Sequence, residues 1–139
     1  MGASLIDEPL DAEPDRPTSK GQGRRAMQAV SCVIRPERLE AVKDALATLD
    51  GVGGMTVADV RGFGRQKGQV EHYRGGEYTI RFIPKVRIDL VVPAEAVGEV
   101  MAAVQRAAHT GQVGDGKLFV MEVRQALRIR TGERGAEVL

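Results

Sequence analysis

Residues 61–85 read RGFGRQKGQVEHYRGGEYTIRFIPK. Before them MTVADVR (55–61) alternates as a strand. At their end YTIRFIPKVRIDLVV (78–92) does the same, with Ile80, Phe82, Val86, Ile88, Leu90 and Val92 on one face. Between the two lies a polar connector of about fifteen residues, against roughly two to five for an ordinary hairpin. It carries both tyrosines of the chain, Tyr73 and Tyr78. A long polar loop of cations, glycines and tyrosines between paired strands reads as a recognition or modification element. Phe63 and Phe82 read as core at the strand ends, and Pro84 is expected to interrupt the ladder with a bend, bulge or edge.

The flanking sequence sets this hairpin in a fold. MQAVSCVI (27–34) places Val30, Cys32 and Ile34 on one strand face. PERLEAVKDALATLD (36–50) has proline suited to a first helical turn and a stripe of Leu39, Val42, Leu46 and Leu49, ended by Gly51, Gly53 and Gly54. PAEAVGEVMAAVQRAAHTG (93–111) is a second helix striped by Val97, Val100, Met101 and Val104. KLFVMEV (117–123) and a short ALRIR (126–130) follow as strands. The order strand, helix, strand, strand, helix, strand is that of an α+β, ferredoxin-like double βαβ sandwich. Its sheet is antiparallel, both helices lie on one face, and the long connector joins strands 2 and 3.

Composition narrows the function classes. A chain of 139 residues supports one core rather than two. Its net charge of +1 supplies no global field for nucleic acid or anionic membrane, so any anion site must be local. An aliphatic sheet face also argues against nucleic acid. Cys32, the only cysteine, excludes an internal disulfide and fits a reducing cytoplasm. No apolar run approaches the roughly 20 residues of a membrane helix. Residues 1–25, with Pro9, Pro14 and Pro17 and no hydrophobic period, read as a disordered tail before a domain at 26–139. Arg24-Arg25 is followed by core-strand sequence rather than an export signal, and Met27 is an alternative start.

Two glycine loops invite phosphate readings. GFGRQKG (62–68) misses GxGxxG by one residue and leads into no helix. GQVGDGK (111–117) has P-loop spacing, but Leu118 stands where Ser or Thr should be, and the order is helix to strand. Each alone is a turn; beside cations, each can also present amide donors to phosphate. Arg128 and Arg130, two apart on a strand, would point from one face about 6.8 Å apart, as adjacent phosphates require; the alternative is a solvated basic edge. Lys85 shares the odd face with Arg81 and Arg87. His72 and His109 form no metal pattern, and no catalytic set is visible, so the chain is not expected to be an enzyme.

MTVADVRGFGRQKG, YRGGEY, FIPKVRIDLVVP, TGQVGDGKLFV and IRTGE, in this order and spacing, resemble the hallmark segments of the PII nitrogen-regulatory signal-transduction proteins, over about residues 27–134. The resemblance implies a cytoplasmic homotrimer of ferredoxin-like subunits that binds ATP or ADP between subunits. The connector, about 64–79, is then the T-loop that touches targets. The implied nucleotide site is Ile34, Thr56, Gly62, Gly64, Arg65, Gln66, Gly114, Asp115, Gly116, Lys117, Arg128 and Arg130. Gln66 would complete a magnesium shell with ATP, and 2-oxoglutarate would bind with Gln66, Lys67, Lys85 and Gly114. Tyr78 matches the tyrosine uridylylated or adenylylated by a nucleotidylyltransferase. Arg74 matches the arginine that enters ammonium transporters, through which the protein would be recruited to the membrane. Regulators and enzymes of nitrogen metabolism are the other implied partners.

Four of these cations, Arg65, Lys117, Arg128 and Arg130, suffice for the roughly three to four negative charges of ATP. Arg35 stands where the family has lysine, Arg81 where it has an acidic residue, and Gly76 where some members carry a phosphorylated serine. The first expectation is therefore a sensor of ATP/ADP and 2-oxoglutarate. The second is a PII-like paralogue reading adenine nucleotides only, and the third a slow side ATPase in which Gln66 orients water.

Overall fold

The computed structural model describes residues 25–64, 70–73 and 77–139, with Val70–Tyr73 and Glu77–Ile80 by backbone course only. Among the described residues there are six strands: β1 Met27–Ile34, β2 Thr56–Gly62, β3 Val70–Tyr73, β4 Glu77–Ile80, β5 Ile83–Pro93 and β6 Gly116–Val123. Helix α1 covers Leu39–Ala47 and α2 Val97–Ala108, each entered through a single 3-10 turn, at Pro36–Arg38 and Ala94–Ala96. The main sheet has the order β2-β5-β1-β6, with every neighbouring pair antiparallel. The ferredoxin-like sandwich expected from the element order is the fold found.

Strand period explains the core. Val30, Cys32 and Ile34 of β1 lie opposite Leu90, Ile88 and Val86 of β5, and all six are buried. Val42 and Leu46 of α1, and Val100, Ala103 and Val104 of α2, close over this face. Arg38 ties the two helices together: its Nε and Nη2 donate to the Ala107 carbonyl at 2.8 and 2.6 Å. A guanidinium there satisfies an orphan carbonyl at the negative end of the α2 dipole. Met101, placed on the α2 stripe by sequence, is exposed instead and borders a cavity between α2 and the edge strand β6.

The connector begins as expected but is partly structured. β3 and β4 form a separate antiparallel ribbon pairing Val70 with Ile80 and Tyr73 with Glu77. The sequence-based strand 78–92 is consequently two strands, and the break falls at Arg81-Phe82 rather than at Pro84. Pro84 sits inside β5 opposite Arg61. The β1–β5 register ends at Val86, so Pro84 has a strand on one side only, and its missing N–H interrupts no ladder there. Phe63 and Phe82 are not core. They are 49% and 64% exposed and meet edge to face at 6.3 Å across the neck of the connector.

The expected strand at 126–130 does not form. Leu127 makes one isolated bridge with Arg134, and the chain reverses between them. Gly132 and Gly135 take φ of 78° and 92°, and Arg128 N–H donates to the Glu133 carbonyl at 2.9 Å. With a turn in place of a strand, Arg128 and Arg130 share no strand face, and the spacing of about 6.8 Å expected along a strand does not apply. Arg128 instead pairs with the Glu133 carboxylate.

The sheet face away from the helices is apolar over much of its area. β1 supplies Ala29 and Val33, β2 Ala58 and Val60, β5 Val91, and β6 Phe119 and Met121, the last two 55% and 51% exposed. The face is thus not wholly aliphatic, since Phe119 lies on it opposite Ser31. No helix among the described residues is long and apolar enough to cross a membrane. Leu46 is fully buried between α1 and the sheet, so Leu46→Ala is expected to lower unfolding free energy by about 2–5 kcal/mol in urea titration.

Candidate functional site

Four strand ends converge at one edge of the sheet. The registers place Gly62 opposite Ile83, Val60 opposite Lys85, Val33 opposite Lys117 and Ile34 opposite Gly116. Together with the loop joining α2 to β6 they line a cleft of about 620 Å³. One wall is the root of the connector, Gly62, Phe63, Gly64, Ile83 and Lys85. The other is Gln112, Gly114, Asp115, Gly116 and Lys117, with Val33 and Phe119 as floor. A molecule seated here touches both walls.

The loop wall is held in one shape by its own bonds. Gly111, Gly114 and Gly116 have φ of 89°, 108° and 111°, a region that L side chains avoid. A Cβ on Gly116 would lie 1.8 Å from the Val33 carbonyl oxygen, so only glycine lets β6 start against β1. The Asp115 carboxylate accepts from Thr110 N–H at 2.7 Å, Gly111 N–H at 2.9 Å and the Thr110 hydroxyl at 2.5 Å. Arg35 Nε donates to the same carboxylate at 2.9 Å, while Arg35 Nη2 donates to the Val113 carbonyl at 2.8 Å. Gln112 N–H donates to the Thr110 hydroxyl at 3.1 Å. The Thr110 hydroxyl and amide, then Arg35, and least the Gly111 amide hold the Asp115 carboxyl well below its ordinary value of 3.8, against an opposing desolvation effect.

One bond joins the two walls directly. Lys85 Nζ donates to the Gly114 carbonyl at 2.6 Å, crossing the gap left where β1 ends. Lys85 is partly exposed and Lys117 exposed, so the cleft carries two cations from within the chain beside a glycine turn. An ammonium has three donors, and this bond uses one of them. Chemically the cleft suits an anion with several oxygens.

Of the residues singled out from sequence, Gly62, Gly64, Lys85, Gly114, Asp115, Gly116 and Lys117 come together here. Asp115 does so as the organiser of the loop, since its carboxylate is taken up by loop donors. Ile34 does not line this cleft. It is 2% exposed on the helix side and borders a second cavity, about 450 Å³, between α2 and β6. Val33, its neighbour, faces the cleft instead. Thr56 stands at the other end of β2, about 20 Å along the strand from Gly62. Arg128 and Arg130 follow the far end of β6 and are not among the residues lining the cleft.

Arg65, Gln66, Lys67 and Arg74, like residues 1–24, lie outside the described residues, and Tyr78 is placed only by backbone, opposite His72. Sequence reasoning missed Val33, Phe63, Ile83, Gln112 and Phe119. Strand parity could have found Val33, since a core set of Val30, Cys32 and Ile34 sends it to the other face. Arg35, noted from sequence only as standing where the family has lysine, holds the loop at two points. Among the described residues no group of three or more His, Cys, Asp or Glu is placed to hold a metal.

The family model for nitrogen regulatory protein P-II matches residues 27–133. Nitrogen regulatory protein GlnK of Escherichia coli K12 is 50% identical over 107 residues, covering 77% of this chain and 95% of its own. Nitrogen regulatory protein P-II of Rhodospirillum rubrum is 48% identical over 113 residues, 81% of this chain and all of its own. Among solved structures, a Bacillus subtilis GlnK–ATP complex superposes with TM-score 0.69 at 38% identity, over 82% of this chain and 98% of that one. Arabidopsis thaliana PII bound to citrate gives 0.67 at 35% identity, over 83% and 94%.

Two changes test the loop. Gly116→Ala adds both a backbone overlap and a disfavoured φ, and is expected to cost about 3 kcal/mol or more by urea titration. Asp115 has a lowered folded pKa, so its contribution is full above the unfolded value and is lost as pH falls toward the folded one. The stability gap between wild type and Asp115→Asn is therefore expected to shrink from about pH 6 to about pH 2.5.

Proposed function

Because the chain belongs to the nitrogen regulatory protein P-II family, we propose that it senses ATP or ADP together with 2-oxoglutarate at this cleft and signals through the connector. The observation that carries the reading is the shared boundary of the cleft: one wall is the connector's root, the other the glycine loop. A ligand can shift a loop equilibrium only through contacts that differ between loop states. Contacts to Gly62, Gly64 and Lys85 supply that difference at the point where the connector leaves the sheet.

The chemistry follows from the donors. The turn at Gly114 to Lys117 offers backbone amides and an ammonium to phosphate oxygens. That the Bacillus subtilis relative was solved as an ATP complex supports this assignment. Magnesium prefers one or two protein oxygen ligands plus phosphate, which suits the side chain of Gln66. Lys85 keeps two donors beyond its bond to Gly114, enough to take the far carboxylate of 2-oxoglutarate. Gln66, Lys67 and Gly114 complete that subsite.

A homotrimer accounts for two features of the single chain. The apolar sheet face, with Phe119 and Met121 half exposed, gains cover when copies pack on it. Thr56, Arg128 and Arg130 lie away from the chain's own cleft, and in the trimer a neighbouring subunit contributes them. The targets are ammonium transporters, reached through Arg74, and enzymes or regulators of nitrogen metabolism. Tyr78 is the position for a nucleotidylyltransferase. The role is regulatory and cytoplasmic rather than catalytic.

Isothermal calorimetry is the test. Oxoglutarate is expected to bind only with magnesium and ATP present, and Lys85→Ala is expected to abolish that heat while leaving ATP binding measurable. Oxoglutarate binding without nucleotide would refute the mechanism. ATP and ADP binding with no oxoglutarate effect would make the chain a sensor of adenine nucleotides alone.

A further inference from the structure

Arg35 follows the last residue of β1 and reaches the glycine loop with two different nitrogens. Nε donates to the Asp115 carboxylate at 2.9 Å and Nη2 to the Val113 carbonyl at 2.8 Å. Asp115 in turn holds the Thr110 and Gly111 amides. Three residues on, Arg38 grips the Ala107 carbonyl. The segment Arg35–Arg38 thus holds the passage from α2 to β6 at both ends. The planar fork lets one side chain make both loop contacts at fixed relative positions. A lysine, with a single nitrogen on a flexible stem, satisfies one or the other.

The loop so held is one wall of the cleft, the wall assigned above to the phosphates. Its three left-handed glycines leave the backbone few steric restraints of its own, so its shape in the empty state depends on those side-chain bonds. Donors already aligned bind an anion without first having to be ordered. A Cβ on Gly114 would come 3.2 Å from Arg35 Nη2, which shows how closely the fork lies along the turn.

We propose that Arg35 is a positioning residue for the nucleotide phosphates: its two-point grip on Val113 and Asp115 pre-aligns the glycine loop, and phosphate affinity depends on that grip. The inference rests on the nucleotide reading above. It assigns Arg35 no contact with the phosphates themselves.

The experiment compares wild type and Arg35→Lys by calorimetry with ATP and ADP and by amide hydrogen exchange without ligand. Arg35→Lys keeps the charge and is expected to weaken both nucleotides about tenfold, the loss of one charge-assisted hydrogen bond. In the same variant, exchange at Thr110 and Gly111 is expected to rise while β1 and β5 amides keep their protection. Unchanged affinity overturns the proposal. Weakened affinity with unchanged loop exchange also overturns it, because Arg35 would then act by direct contact. So does a parallel rise in core exchange, which marks general destabilisation. Should wild type itself fail to bind ATP, the nucleotide reading falls first, and the exchange pattern alone then decides whether Arg35 orders the loop.

Discussion

The close approach of Gly116 to the Val33 carbonyl is the constraint on which the site depends. β6 can start beside the end of β1 only without a side chain at that point, and the preceding turn must bend back through left-handed glycines to reach it. That bend carries the Gly114 carbonyl to within 2.6 Å of Lys85 Nζ and the Asp115 carboxylate to the Arg35 fork. Three separated pieces of sequence, the end of β1, the start of β5 and the α2–β6 loop, are thereby made neighbours. The cleft exists because of that convergence, and no single motif contains it.

The position of the cleft also gives its function a physical basis. Lys85 lies on β5 just after the connector rejoins the sheet, and Gly62 on β2 where the connector leaves it. The bond from Lys85 to Gly114 therefore joins connector root and glycine loop. On the proposed reading, nucleotide and then carboxylate add to this set of bonds, so the charge at the root varies with the ligand. On the same proposed reading, a second subunit covers the apolar open face of the sheet and supplies Thr56, Arg128 and Arg130, which lie away from the chain's own cleft.

Periodicity made the fold legible in the sequence. The alternating faces of β1 and β5 and the stripes of the two helices depend only on burial of one side, and the sequence shows burial of one side directly. What local pattern could not show was pairing. Whether Pro84 marks a bend, a bulge or an edge is open until β1 is seen to end at Val86 and leave it an edge, and ALRIR looks like a strand until Gly132 and Gly135 turn the chain back on itself. The site was readable as motifs but not as geometry. The glycine loop and Lys85, named through the family resemblance, line the cleft, while Ile34 lies in the core and its neighbour Val33 faces the cleft, as strand parity dictates. The fork of Arg35 was invisible because its partners lie some eighty residues downstream.

The central claim is that one ligand bears on the glycine loop and the connector root together. Two-dimensional amide NMR of the 15N-labelled protein during an ATP titration with magnesium tests it most directly. The account predicts that Gly62 and Gly64 shift with the same midpoint as Gly114 and Gly116, while α1 amides stay in place. Shifts confined to the glycine loop, with Gly62 and Gly64 unmoved at saturation, would contradict it.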